Sequence, residues 1–259
     1  MKISVVTAVF NNAATIRDAL ESTLSQRYPN VELVVVDGGS TDGTQKIIEA
    51  YRDRIATYVS EPDRGIYDAL NKGVRLATGD VIGFLHSDDL FADTEALSRV
   101  TEVMREPNVD ACYGDLNYVR KEAPHAIVRA WAAGDFTRGK LRRGWMPPHP
   151  TLYVRREVYA GVGEFNTRYR IAADYDWMLR VLQQTERVRY VKRVQVLMRV
   201  GGASNRSLKN IIRKSTEDYR ALRSNGFGAF AAVFALAGKN IGKLPQFLFA
   251  RRGARARNP

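Results

Sequence analysis

Two adjacent acids, Asp88 and Asp89, point most directly to chemistry, because they follow the apolar run 81–85. Like charges at the end of a buried strand repel each other unless something neutralises them. Hard divalent cations such as Mg²⁺ and Mn²⁺ prefer one or two carboxylates together with phosphate oxygens. The pair therefore predicts a metal site that carries a diphosphate. The alternative is a solvated N-cap for a helix from Phe91 onward.

The elements that must position this pair alternate along the first hundred residues. Apolar, β-branched runs predict buried strands, and the amphipathic segments between them predict helices. The predicted strands are 3–9, 31–36, 55–59 and 80–85. The predicted helices are 13–26, 44–52 and 65–77. Such an alternation indicates a parallel sheet covered on both faces.

Polar side chains gather where these strands end. They are Thr7, Asn11, Asp37, Glu61, Asp63, His86, Ser87, Asp88 and Asp89. In open sheets of this kind, ligands bind beyond the carboxyl ends of the strands. Four consecutive strand ends, three of them with carboxylates, therefore predict a crevice for a polar, metal-bound ligand.

The second half of the chain is less regular and contains no internal repeat. Short strands are expected over 111–113, 127–131 and 151–154, then a helix over 174–184, a strand over 189–198 and a helix over 208–223. The total of 259 residues suits one large domain, or one domain with an appendage.

Two nucleotide-binding motifs are excluded. A dinucleotide fold would place G-x-G-x-x-G after the first strand, where this chain has Phe-Asn-Asn-Ala-Ala at 10–14, and no P-loop sequence occurs. Asp37 keeps a nucleotide role open, because a carboxylate at that strand end can accept hydrogen bonds from a base or ribose. The alternative is a plain Asp-Gly turn. Cys112 is the only cysteine, which excludes an internal disulfide, and three histidines with one cysteine leave too few soft ligands for zinc.

The net charge of +12 is concentrated at the C-terminal end. Residues 220–259 carry eight Lys or Arg and no acid, so residues 1–219 contribute only +4. Aromatic and aliphatic residues interleave with these cations over 226–250, which suits a helix lying on an anionic lipid surface. The alternative is a helix that packs on the domain or on a second subunit.

No segment is expected to cross a membrane. The longest apolar stretch, 226–238, has about thirteen residues, against the ~20 that a bilayer requires. The opening residues 1–10 fit a strand better than a leader peptide, because Asn11 and Asn12 interrupt the apolar run. We therefore expect a cytoplasmic protein that is held peripherally on the inner face of the cytoplasmic membrane.

Four ordered segments, 3–11, 34–44, 61–73 and 87–89, carry motifs such as Val-Asp-Gly-Gly-Ser-Thr-Asp-Gly-Thr and Ser-Asp-Asp. Together they resemble glycosyltransferase family 2. The resemblance implies a GT-A fold, which is an α/β, Rossmann-like, mostly parallel sheet with helices on both faces. This domain would occupy 1–205, with a nucleotide-binding half over 1–90 and an acceptor half over 91–205. A helical, basic region would follow over 206–259.

The resemblance also implies a nucleoside-diphosphate sugar as donor and a set of donor-binding residues. These would be Thr7, Ala8, Val9, Asn11, Asp37, Asp63, Asn71, Lys72 and Asp88. Asp37 would bond the base with Asp63 beside it. Asp88 and Asp89 match the family's metal–diphosphate motif, and Asp89 is the favoured direct ligand of Mg²⁺ or Mn²⁺.

The family's Glu-Asp-Tyr-Asp region is matched by residues 173–176, with Ala173 in place of the Glu. The resemblance implies Asp174 as the catalytic base and Asp176 as the fallback. A partly desolvated carboxylate at a cleft rim can take a proton from an acceptor hydroxyl. The structural alternatives are an N-cap for Asp174 and an i,i+4 ion pair with Arg180 for Asp176.

Two further segments are similar to family loops. His149, in the Pro-rich stretch 145–151, would face the donor sugar or the acceptor, and the alternative is a structural histidine. Gly202 and Ser204 would close on the diphosphate, because small residues let the backbone approach phosphate. The alternative for that loop is a plain turn.

These expectations combine into a metal-dependent, inverting enzyme of polysaccharide biosynthesis that moves one sugar to a hydroxyl of a lipid-linked or glycan acceptor. UDP is the favoured nucleotide, with GDP or dTDP as alternatives. The absence of the Q-x-x-R-W signature argues against processive synthesis. The C-terminal helices could also mediate a homo-oligomer. The rival interpretation is a catalytically degenerate fold that binds membrane or nucleic acid through its basic tail, although no RNA-binding signature supports a nucleic-acid partner.

Overall fold

The computed structural model describes residues 1–201 and 208–241. The strands are β1 (Ile3–Val9), β2 (Val31–Asp37), β3 (Thr57–Ser60), β4 (Val81–Phe84), β5 (Leu90–Phe91), β6 (Ala111–Val119), β7 (Ile127–Trp131), β8 (Tyr153–Arg155) and β9 (Val188–Arg199). The helices are α1 (Ile16–Leu24), α2 (Thr44–Glu49), α3 (Ile66–Leu76), α4 (Ala96–Met104), α5 (Arg138–Leu141), α6 (Arg156–Val162), α7 (Ala173–Gln184), α8 (Leu208–Ser224) and α9 (Ala229–Ile241). Short 3₁₀ helices cover Arg52–Arg54 and His149–Thr151.

The described strands form one sheet in the order β3-β2-β1-β4-β8-β6-β9-β5, with β7 paired to β6. The first four strands run parallel, as the alternation of apolar runs and helices predicts. Beyond β4 the sheet is mixed, because β8 runs antiparallel to both β4 and β6, whereas β6 and β9 are parallel. The predicted α/β class is confirmed, and the parallel part carries the acidic strand ends.

The hydrophobic core lies on both faces of the sheet, because β1 is buried along its whole length. Val6 and Ala8 belong to a cluster that includes Trp177 of α7, while Ile3 and Val5 belong to a second cluster with side chains of α4. Full burial of one aliphatic side chain contributes about 1.5–3 kcal/mol. A central strand buried on both sides therefore fixes the position of the loop that follows it.

Strand β6 is longer than the apolar pattern predicts. It continues past 113 to Val119, and its second half alternates half-buried Asp115 and Asn117 with buried Leu116. Asp115 accepts a hydrogen bond from the Ala133 N–H at 2.8 Å, so its polarity is satisfied within the fold. Because polar residues interrupt the apolar run, the sequence pattern predicts an end for this strand that is too early.

The helices α8 and α9 pack against the rest of the molecule. Ala221 and Leu222 of α8, and Ala232 and Ala235 of α9, belong to the same core cluster as Trp177. A Cβ atom on Gly144 would lie 1.9 Å from the Ala235 carbonyl oxygen, so only glycine permits this approach. None of the described helices is long and apolar enough to span a membrane. The predicted tail beyond residue 241 lies outside the described residues.

Candidate active site

Hydrogen bonds join the loops that follow β1, β2 and β4. Asn11 has a left-handed backbone conformation with a φ of 46°, and its N–H donates to Ser40 Oγ at 2.8 Å. The Asn11 Oδ1 accepts from the Thr41 N–H at 2.8 Å. Asn12 donates from Nδ2 to Ser87 Oγ at 2.9 Å. The structure therefore brings three of the predicted strand ends into contact.

Asp37 is fully buried and already has several hydrogen-bond donors. Its carboxylate accepts from the Ser40 N–H at 3.0 Å, from the Ser40 hydroxyl, and from Ser60 Oγ at 2.6 Å. These bonds connect the ends of β2 and β3. In this structure Asp37 braces the loops of the crevice, and its contact with a nucleobase remains a prediction.

Asp63 is half-buried beside an exposed aromatic ring. A Cβ atom on Gly38 would lie 2.5 Å from Asp63 Oδ2 and 3.3 Å from the ring of Phe10, so a larger residue at this position would displace the Asp63 carboxylate. Phe10 is 60% exposed, which is unusual for a phenylalanine that directly follows a buried strand. An aromatic face beside a carboxylate can stack on a base while the acid accepts its N–H groups. Sequence analysis missed Phe10, although its position at the strand end was visible.

Among the other predicted donor residues, Asn71 and Lys72 have partners inside the protein, whereas the buried Thr7 Oγ1 has none among the described residues. Thr7, Ala8 and Val9 are each at most 5% exposed, so their side chains offer almost no surface to a ligand. Asn71 donates to the Phe165 carbonyl at 2.9 Å and accepts from the Phe165 N–H at 2.9 Å, which ties α3 to the chain before α7. Lys72 pairs with Glu61 at 2.9 Å, close to the end of β3.

The acidic pair divides into a half-exposed and a buried residue. Asp89 has no exposed surface, and burial, followed by the charge of Asp88, raises its pKa well above the usual range. The Asp89 Oδ1 lies 3.3 Å from the Arg199 N–H, while Oδ2 has no hydrogen-bond partner among the described residues. The alternative of a helix N-cap is wrong, because Leu90–Phe91 forms β5 and pairs with β9.

Arg199, at the end of β9, holds the turn that carries these acids. Its buried guanidinium donates to the Asp88 carbonyl at 3.1 Å and to the Lys121 carbonyl at 3.0 Å, and it forms an ion pair with Asp18. Sequence analysis missed Arg199, because its partners lie far away along the chain.

The residues present fit a divalent cation. A buried carboxylate oxygen without a partner is costly unless a cation or a proton satisfies it, and carboxylates are ligands that Mg²⁺ and Mn²⁺ prefer. Within 1–201 and 208–241, no three His, Cys, Asp or Glu side chains converge on a metal position. The protein would therefore supply one or two ligands, Asp89 with Asp88, and phosphate oxygens and water would supply the rest.

Asp174 is the second residue of α7 and is half-buried. Its Oδ1 accepts from the Tyr175 N–H at 2.8 Å and lies 3.2 Å from the hydroxyl of Tyr67. The N-cap position belongs to Ala172, so Asp174 does not cap the helix in the predicted way. Burial, with the charge of Asp174 next, raises the pKa of Tyr67 well above its usual range, which keeps this neighbour a neutral hydrogen-bond donor.

The structure does not bring Asp176 to Asp174. Asp176 is 4% exposed, pairs with Arg180 at 3.1 Å and accepts from Asn225 Nδ2 at 2.9 Å. This arrangement matches the structural alternative of an i,i+4 ion pair. Gly202 and Ser204, the predicted diphosphate loop, lie outside the described residues.

The His149 ring stacks on Phe84 and lies next to His86. The His149 ring lies 5.3 Å from the Phe84 ring and 5.7 Å from the His86 ring, measured between centroids. Burial lowers the pKa of His149 to about 4, so this imidazole is neutral at physiological pH. Among the described residues, the His149 Nε2 and the His86 Nδ1 have no hydrogen-bond partner. Neutral imidazoles with free ring nitrogens can bind sugar hydroxyls.

Solved structures with a similar architecture identify the fold. S. aureus TarS 1–349 in complex with UDP-GlcNAc gives a TM-score of 0.69 at 17% identity, over 96% of this chain and 79% of that chain. The mannosyltransferase PcManGT from Pyrobaculum calidifontis, in complex with GDP-Man and Mn²⁺, gives 0.66 at 22% identity, over 100% of this chain and 76% of that chain. The chain therefore has the predicted GT-A fold.

Sequence relatives define the family. The profile of glycosyl transferase family 2 matches residues 4–155. The PGL/p-HBAD biosynthesis glycosyltransferase of Mycobacterium bovis (strain BCG / Pasteur 1173P2) is 33% identical over 214 residues, which cover 78% of each chain. This chain belongs to glycosyl transferase family 2 and is a glycosyltransferase, which confirms the prediction made from its four motifs.

Proposed function

We propose that the enzyme transfers one sugar from a nucleoside-diphosphate sugar to an acceptor hydroxyl with inversion, and that Asp174 is the base. This proposal rests on a continuous series of side-chain contacts that runs from Asp174 to the Asp88–Asp89 turn. Asp174 contacts Tyr67, whose ring lies 5.7 Å from that of Phe165. The Phe165 ring lies 5.9 Å from that of His149, and the His149 ring lies 5.7 Å from that of His86, at the start of the Asp88–Asp89 turn. A donor sugar that lies along this series of side chains would have the base Asp174 at one end and the Asp88–Asp89 metal motif at the other.

In this mechanism the acceptor oxygen attacks the anomeric carbon while its proton passes to Asp174. The bond from that carbon to the acceptor oxygen forms as the bond to the diphosphate oxygen breaks, so a single displacement inverts the centre. A divalent cation on Asp89, with Asp88, would offset the negative charge of the departing diphosphate. His86 and His149 would hold sugar hydroxyls, and Tyr67 would hold the Asp174 carboxylate.

The proposed donor is a UDP-sugar. Phe10 and Asp63 offer a stacking surface and an acceptor for base N–H groups, with Asp37 bracing the loop behind them. TarS and PcManGT were solved with UDP-GlcNAc and GDP-Man, respectively. The Phe10 ring and the Asp63 carboxylate also suit GDP and dTDP, so the thermal-shift screen described below includes these nucleotides.

The proposed acceptor is a lipid-linked saccharide or glycan at the inner face of the cytoplasmic membrane. One face of α9 leaves Phe230 94%, Phe234 65% and Ile241 65% exposed. The exposed Arg142 and Arg143 lie on the loop against which α9 packs. An apolar stripe with basic neighbours is suited to an anionic lipid surface, where each cation contributes about 1 kcal/mol.

A thermal-shift screen tests the proposed function. UDP, GDP, CDP and dTDP are added to the wild type and to Asp89→Ala, each with and without Mn²⁺. A nucleotide at 100 times its Kd would add about 2.7 kcal/mol to the free energy of unfolding. We expect one nucleotide to stabilise the wild type only with Mn²⁺ and to leave Asp89→Ala unchanged. Stabilisation by none of them, in folded protein, would contradict the proposed donor site.

A further inference from the structure

We infer that Glu217 of α8 is a positioning residue for Asp174, and that it acts through the backbone of residues 170–172. The inference rests on the proposed role of Asp174 as the base. Glu217 lies 43 residues beyond Asp174 along the chain, and no local pattern joins the two. The connection exists only because α8 packs on α7.

Glu217 binds the chain just before α7 with one carboxylate oxygen. Its side chain is 7% exposed, and Oε2 accepts from the N–H groups of Arg170, Ile171 and Ala172 at 3.1, 2.8 and 3.1 Å. Hydrogen bonds to a charged acceptor are stronger than neutral ones, and removing a buried acceptor leaves its donors unsatisfied. Glu217 therefore fixes three successive peptide groups.

The start of α7 has no side-chain cap at its N-cap residue. Its N-cap is Ala172, which has no side-chain oxygen for the free N–H groups of the first turn, and Ala173 follows it. A carboxylate near a helix N-terminus also interacts favourably with the helix dipole. Glu217 does not bind the N–H groups of the first turn itself, and it instead anchors the three peptide groups that lead into α7.

The segment that Glu217 holds also determines the surroundings of Asp174. The carbonyl of Ile171 accepts from the Tyr67 hydroxyl at 2.7 Å, and that hydroxyl lies 3.2 Å from Asp174 Oδ1. The N–H of Ile171 thus donates to Glu217, and its carbonyl accepts a hydrogen bond from the Tyr67 hydroxyl that lies beside Asp174. If Glu217 releases the segment, both Tyr67 and the first turn of α7 lose their fixed positions relative to Asp174.

Amide exchange tests the contact without any substrate. In Glu217→Gln we expect the amides of 170–172 to exchange at least about tenfold faster, because three charge-assisted bonds are weakened. The matched control is Asp218→Asn, a neighbouring buried acid that pairs with Lys239 at 2.8 Å instead. The control should leave exchange at 170–172 unchanged. Equal exchange in the wild type and Glu217→Gln would overturn the inference.

Kinetics separate positioning from a purely structural role. The assay measures hydrolysis of the donor, in which water takes the place of the acceptor and the nucleoside diphosphate is released. The donor is the UDP-sugar or GDP-sugar whose nucleotide stabilises the protein. We expect Glu217→Gln, at a temperature where it is folded, to lower kcat about tenfold with the donor KM unchanged. In an Asp174→Asn background, Glu217→Gln should lower kcat by less than about twofold, because the base through which Glu217 acts is absent.

The outcomes distinguish two kinds of failure. Full activity of folded Glu217→Gln, or an equal loss in both backgrounds, would overturn the positioning role while leaving Asp174 as the base. Full activity of Asp174→Asn would instead remove the proposed base itself. Glu217→Asp offers a further check, because a shorter carboxylate should retain part of both the exchange protection and kcat.

Discussion

Asp37, Asp89 and Asp174 are three carboxylates of the predicted site, and the structure surrounds each of them differently. Hydroxyl and amide donors fill the acceptor positions of Asp37, so it braces loops. Asp89 is buried with one oxygen unpartnered, which suits a cation. Asp174 is half-buried beside a neutral phenol, which suits a proton acceptor. Residue type alone does not separate these three roles, because burial and donors determine them.

Replacement of Asp174 by Asn should remove the base and leave donor binding intact. We expect kcat to fall by about 10²–10⁴-fold, the usual contribution of a positioned general base, with no change in the metal-dependent thermal shift. The control is Asp176→Asn, which loses the ion pair with Arg180. That variant should be less stable yet retain activity per folded molecule. The reverse pattern would assign the base to Asp176.

His149 should remain neutral across the physiological range. Burial is the main cause that lowers its pKa to about 4, and the charge of Asp174 only partly opposes it. Nitrogen-detected NMR of the imidazole should therefore show no titration between about pH 5.5 and 8. A midpoint near the ordinary value of 6.5 would show that the ring is solvated and that it does not line a dry sugar site.

At the scale of elements, the apolar face of α9 should determine attachment to lipid. The double variant Phe230→Ser/Phe234→Ser should bind anionic vesicles at least about tenfold more weakly, since two exposed aromatic rings no longer insert. Phe10→Ser is the matched control, because Phe10 is also exposed but lies at the crevice. It should weaken nucleotide binding and leave vesicle binding unchanged.

Two other results would contradict lipid attachment through α9. Unchanged vesicle binding by the double variant would place the attachment elsewhere. A dimeric wild type that becomes monomeric on substitution, by light scattering, would make this face a subunit interface. Substitutions are preferable to deletion of α9, because Ala232 and Ala235 are part of the core and their loss would unfold more than the docking face.

Local patterns predict the elements of the first half well and the long-range contacts poorly. β1, β2 and β4 follow from apolar runs, because these strands are buried on both faces and their sequences record that burial, whereas β3 lies at the sheet edge and is only half-buried. β6 was underestimated, since Asp115 and Asn117 interrupt its pattern. Arg199 and Glu217 contact residues far away along the chain, so no periodicity could have identified them. Their roles depend on packing.

At the scale of the whole molecule, Glu32 should make stability sensitive to acid. It joins β2 to Ser4 of β1 and to Thr78 before β4, at the sheet edge opposite the crevice. Burial alone would raise the pKa of Glu32, but hydrogen bonds from Ser4, Thr78 and Lys2 outweigh it and lower the pKa to about 2 from the ordinary 4.5. The stabilisation is therefore complete above about pH 4.5 and is lost as the pH falls toward 2.

Guanidinium unfolding at several pH values between about 7 and 3 measures this effect. Glu32→Gln should be less stable than the wild type at neutral pH and should lose less stability on acidification. Glu122→Gln, at an exposed position, should follow the wild type. An acid dependence that is identical in wild type and Glu32→Gln would assign the effect to other carboxylates.

The close approach of α9 to Gly144 should keep this helix bound even when the chain is cleaved between α8 and α9. A protease that cleaves the exposed Gly226 or Gly228 between α8 and α9 would sever the covalent link to α9. The fragments should nevertheless migrate together through a sizing column, because Ala232 and Ala235 stay embedded in the body. The proposed lipid-binding face would then stay with the catalytic body after a nick, and its release would require unfolding as well as cleavage.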